Sequence, residues 1–201
     1  MIRFIITGVL LIQFLSAQVI VRKPVPYDIK EDAVAAVKVL AREVMKENYL
    51  YSFEKMYPRL KEDSAKKLGG EDKLKKRLAD IPRQIQAKGI SIIDLQTGKV
   101  GKSFEVNALH FNDSTKKPAF SEYLVFVPTT TLYRAVDPRS GAIKKIQIDS
   151  FQVAIRKING GEWTFIDGSE LSISQLRSLF PNLPSEAKEL AMPQKKVIEL
   201  E

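Results

Sequence analysis

Behind Asp28 the apolar positions Val34, Val37, Leu40, Val44 and Met45 recur in steps of three, three, four and one. That spacing puts them on one face of a helix running to about Asn48. Asp28 stands three residues before Glu31, an arrangement able to cap the helix start. Leu50, Phe53, Met56 and Leu60 continue in helical phase, with Pro58 expected to kink or end the first part of this stretch. Gly69-Gly70 punctuates the chain. Leu74, Leu78, Ile81 and Ile85 then mark another helix, with a bend expected at Pro82 and a stop at Gly89.

From Ile90 the period changes to two. Phe104, Val106, Ala108 and His110 fall on one side of a strand, with Ser103, Glu105 and Asn107 on the other. Asn112-Asp113-Ser114 opens a polar turn, and a strand follows from about Phe120 to Val127. Pro128 is expected to disrupt it before 129–135 resumes. Asp137 to Gly141 has the composition of a turn. Between Ile143 and Ile158 the apolar phase shifts from even (Ile146, Ile148) to odd (Phe151, Val153, Ile155), which predicts a bulge near Asp149-Ser150 or two shorter strands. After Asn159-Gly160-Gly161 come a short strand at 163–167, a short helix over about 172–179 and a Pro-rich tail.

Helices first and a strand meander afterwards indicate an α+β fold with N-terminal amphipathic helices packed on one face of a curved, mainly antiparallel sheet. There is no internal repeat. The expected layout is a signal peptide over 1–17, an extended leader over 18–27 with Pro24 and Pro26, a single domain over 28–185 and a C-terminal tail over 186–201.

The signal-peptide reading rests on Arg3, the uncharged apolar run Phe4 to Leu15, and the small residues Ser16 and Ala17. The run is short for a membrane span. A cut after Ala17 leaves 184 of the 201 residues. Leu15 is large for the −3 position, and Val19, Ile20 and Val21 extend the apolar stretch, so an uncleaved anchor is the alternative. The expected address is periplasmic or secreted, with nothing membrane-integral after cleavage.

Composition narrows the chemistry. The chain has no cysteine and one histidine. That removes disulfides and thiolate chemistry and disfavours a transition-metal site; no metal and no cofactor is expected. The net charge of +8 is spread through helices that also carry acids, as in Glu71-Asp72-Lys73-Leu74-Lys75-Lys76-Arg77, the pattern of a solvated face. Attraction to an anionic surface polymer is the functional counterpart of that reading. No nucleic-acid partner is expected, since no recognised module is present.

Several phrases resemble the nuclear transport factor 2-like superfamily: Tyr57-Pro58, Leu68-Gly69-Gly70, Val127-Pro128, Trp163 to Gly168 and Leu179 to Leu183. The resemblance covers about residues 30 to 185, and it is narrowest to small exported bacterial members whose role is not established. It implies a cone-shaped fold with a pocket between helices and concave sheet, used by some members for dehydration, isomerisation or hydrolysis and by others only for binding. Many members pair through the outer sheet face, so a homodimer is part of the same expectation. The matching phrases set turns and packing; none is catalytic, and no catalytic role carries over.

Read for chemistry, His110 and Glu122 are the acid–base candidates. His110 shares a phase with Phe104 and Val106; Glu122 shares one with Phe120, Leu124 and Phe126. Glu105 falls opposite Phe104, Asp149 sits at the phase break, and Asp167 before Gly168 suits a turn or cap. Tyr57, Tyr123, Tyr133 and Trp163 are candidates to line a ligand pocket. Gly98-Lys99-Val100-Gly101-Lys102-Ser103 misses the spacing of a phosphate-binding loop, and no G-x-S-x-G occurs. Asn112-Asp113-Ser114 fits a glycosylation sequon. The leading expectation is a non-enzymatic exported domain that binds a small molecule or an envelope protein. The alternatives are a lyase or isomerase using His110 or Glu122, and a basic binder of anionic polymer.

Overall fold

The computed structural model describes residues 24–111, 118–137 and 139–200. The signal segment, residues 18–23 of the leader, the turn with its sequon at 112–114, and Pro138 lie outside the described residues.

Helix α1 (Tyr27–Met45) starts behind Pro26 with no side-chain cap, and Asp28 lies inside its first turn. Asp28 therefore acts on the helix dipole rather than capping the helix. Two short helices follow, α2 (Tyr49–Glu54) and α3 (Pro58–Leu68). Pro58 opens α3 instead of bending it, because the first helical position needs no N–H donor. Gly69 closes α3 in the left-handed conformation, φ 80°. The next helical stretch divides at Asp80 into α4 (Glu71–Ala79) and α5 (Ile81–Ala87), with Pro82 in the first turn of the second piece.

The strands are β1 (Ile90–Thr97), β2 (Ser103–Phe111), β3 (Pro118–Val136), β4 (Ile143–Lys157), β5 (Thr164–Asp167) and β6 (Lys196–Leu200), with α6 (Ile173–Leu179) and α7 (Ala187–Leu190) between the last two. The fold is α+β, and the strands pair antiparallel in one open sheet. Long β3 and β4 form its centre. β1 and β2 lie end to end on the free edge of β3, and β6 and β5 do the same along β4.

Contrary to the sequence expectation, β3 runs unbroken through Pro128. Gly98 N–H donates to Pro128 O (2.8 Å) and Gly101 N–H to Phe126 O (2.8 Å). Pro128 thus faces the edge where β1 ends and β2 has not begun, so the donor it lacks has no ladder position to fill. The bulge expected near Asp149-Ser150 is also absent: β3 and β4 keep register from Glu122↔Lys157 to Val136↔Ile143. The apolar phase shifts because opposite faces of one strand are covered at opposite ends. Phe151, Val153 and Ile155 face α6, α7 and Phe180. Ile148, on the other face, looks toward α1. Register shifts lie instead in β1, between Ile92 and Asp94, and in β2, between Ala108 and Phe111.

Both sheet faces carry core. Ala33, Val37 and Leu40 of α1 pack on Val125, Val127, Ala154 and Phe165; this is the helical face. On the back face Leu124, Phe126, Phe151 and Ile155 pack with Leu176, Leu179, Phe180 and Leu190. The one-sided helix layer expected from sequence is therefore incomplete. Tyr57, at the entry to α3, also reaches the back face, its ring 5.2 Å from that of Phe180. Residues 186–201, read as a tail, supply fully buried Leu190 and the strand β6.

Candidate functional site

Between α1, α2, α4–α5 and the helical face of the sheet lies a cavity of about 500 Å³. Its apolar wall comes from Val37, Leu40 and Val44 of α1, from Leu78, Ile81 and Ile85, and from Ile92 and Leu95 of β1. The floor is more polar. Alternation along β3 points Thr129, Thr131 and Tyr133 into it, and β4 adds Ile148, Ser150 and Gln152. Tyr49 and Ser52 of α2 line another side.

Two charged side chains, Asp167 and Lys195, belong to this lining, and both are exposed at its rim. Asp167 accepts from Ser169 N–H (2.9 Å) and Ser169 Oγ (3.0 Å), the turn-capping arrangement expected of an Asp before Gly168. Lys195 Nζ donates to Glu170 Oε1 at 2.6 Å. That hydrogen bond holds the ammonium pKa above its usual range and the Glu170 carboxyl below its own. Burial pushes the Tyr49 and Tyr133 hydroxyls up, Thr131 partly opposing it at Tyr133. Both tyrosines stay neutral donors at physiological pH.

Among the described residues, Tyr133 is the one sequence candidate that lines the cavity. Glu122 lies on the back face of β3 with Leu124 and Phe126, where it accepts from Tyr57 Oη at 3.2 Å. Structure thus joins Tyr57 and Glu122, but away from the cavity, so the acid–base scheme that put Glu122 inside the pocket has no geometric basis. Tyr123 is buried on the helical face, in register with Arg156. Arg156 stacks on Trp163 at 4.9 Å, and Trp163 Nε1 donates to Asp32 Oδ2 at 3.0 Å. This cluster packs beneath the start of α1. His110 belongs to β2, and its side chain lies outside the description. Asp149 is on the back face, bound by Thr130 and Gln147 at 2.9 Å each, not at a pocket mouth.

Sequence reasoning passed over Tyr49, Ser52, Thr131, Ser150 and Gln152. The signal for Thr131 was present: positions 129, 131 and 133 are one face of a strand. Tyr49 gave none, because its role depends on where the short α2 docks.

Among the described residues no group of three His, Cys, Asp or Glu side chains is placed to hold a metal ion. No described helix is long and apolar enough to cross a membrane. Comparison with protein-family models, characterised proteins and solved structures finds no match to this chain.

Proposed function

We propose that this protein is an exported, non-enzymatic binding domain of the nuclear transport factor 2-like type, which holds a small molecule between its helices and its sheet. The observation that carries this reading is the helix–sheet cavity of about 500 Å³, a volume within the range of small-molecule sites. Its lining supports binding over acid–base catalysis. Asp167 is committed to capping its own turn, and Glu122 sits on the opposite sheet face. The export half of the reading rests on Arg3, the apolar run to Leu15, and Ser16-Ala17.

Fluorescence titration with the uncharged apolar dye N-phenyl-1-naphthylamine tests the cavity. Saturable enhancement is expected for the natural chain, with weakened enhancement in Ser52→Trp, whose indole would intrude on the space. Equal enhancement by both proteins would remove the cavity from the proposal. The mass of the protein recovered from an expressing cell's envelope tests export, with Gln18 expected as first residue; an intact Met1 would favour the anchor.

A further inference from the structure

We propose that the ligand is an uncharged amphiphile, an apolar body carrying a hydroxyl or carbonyl oxygen that Tyr49 and Tyr133 hold; this rests on the ligand-binding reading of the same cavity. The interior offers neutral hydrogen-bonding groups set among aliphatic walls: Tyr49, Thr131, Tyr133 and Gln152. A charged head placed there would lose its hydration with no counter-ion to replace it. The two ionic groups of the lining do not fill that role. Both are exposed at the rim, Lys195 held by Glu170 and Asp167 by Ser169.

Two observations show that the polar floor has unused capacity. Gln152 has no side-chain hydrogen bond to any described residue, although its side chain lines the cavity. Ser150 Oγ is buried without a partner among the described residues, a condition that native structures seldom leave unexplained. Tyr49 of α2 and Tyr133 of β3 both line this one cavity, one from its helical side and one from the sheet floor. A ligand oxygen between them would accept from one and either accept from or donate to the other.

Competition against N-phenyl-1-naphthylamine at pH 8 separates the possibilities, with 1-decanol, decanoate and decylammonium as probes of one chain length. Decanol should displace the dye at a concentration at least about tenfold lower than either ion, the preference expected when a charge must be desolvated. The double variant Tyr49→Phe/Tyr133→Phe should bind the dye within about twofold of the natural chain while losing about fivefold or more in decanol affinity, the range of a lost hydrogen bond. Thr131→Val, which leaves both rings in place, is the companion variant should the double one fail to fold; a smaller loss in the same direction is expected. Decanoate or decylammonium competing as well as decanol would overturn the proposal while leaving the binding reading intact. A chain that does not take up the dye at all would overturn both.

Discussion

Asp32 accepts a hydrogen bond from Trp163 Nε1 at 3.0 Å across 131 residues of chain, fastening the first turns of α1 to the lead-in of β5. Arg156, stacked on the same indole, also donates to Asp32 Oδ2. The carboxylate thus fixes where α1 crosses the sheet, and α1 supplies one wall of the cavity. Asp32→Ala removes the acceptor from an indole whose residue is 8% exposed. It should cost about 1–3 kcal/mol, or about 2–12 °C in Tm for a domain of this size. Asp32→Asn keeps an acceptor for the indole and should cost less. Thermal melts of the two variants decide it: equal losses would show that charge pairing with Arg156, not the indole bond, is what matters.

Gly168 approaches the core more closely than a side chain allows. A Cβ there would stand 2.5 Å from Phe151 Cε2, and Phe151 is 1% exposed with its ring edge-on to Phe126. Gly168→Ala should therefore lose about 1–3 kcal/mol through overpacking. Gly160→Ala provides the contrast: nothing lies within 4 Å of that position, and its φ of 96° carries backbone strain alone. Urea midpoints should fall further for Gly168→Ala, and the reverse order would refute the packing argument.

The sequence made α1 and the strand alternation legible because each has one buried stripe with a single period. Where one element serves two environments, that reading failed. β4 buries Phe151 and Val153 on one face and turns Ile148 to the other, and a one-face reading converted this into a bulge. Pro128 looked like a strand breaker because a sequence does not reveal which edge positions lack a neighbour. The site suffered in the same way. Glu122 was correctly grouped with Leu124 and Phe126, but that face is covered by α6 and Phe180, while the cavity lies across the sheet. Tyr133 could be found from alternation; its partner Tyr49 could not, since α2 is too short for its pattern to fix a docked face.

The C-terminal segment has two parts of unequal weight. Val197 and Ile198 of β6 are 62% and 39% exposed, whereas Leu190 is 0% exposed in the back-face core. Removing 196–201 deletes a five-residue ladder with β4. Removing 187–201 also opens a core cavity, the kind of change that costs about 2–5 kcal/mol for a leucine. The longer truncation should lower Tm at least twice as far as the shorter. Similar losses would mean that β6, not Leu190, anchors the segment.

Tyr49 and Tyr133 make stability depend on alkaline pH, and burial is the leading cause at both. Each hydroxyl holds its proton more tightly in the folded chain than in the unfolded one. As pH rises past the ordinary tyrosine range near 10, the unfolded state ionises first and is favoured. The stabilisation is complete below that range and is lost as pH climbs through the raised folded values. Absorbance at 295 nm, read in a Tyr27→Phe background because the Glu31 carboxylate beside Tyr27 raises that hydroxyl as well, should resolve tyrosines that ionise above the ordinary range near 10. In Tyr49→Phe/Tyr133→Phe that late component should vanish, and the fall in Tm between pH 9 and 11 should become shallower. A late component that survives both substitutions would place the buried hydroxyls elsewhere, and the cavity would lose its two neutral donors.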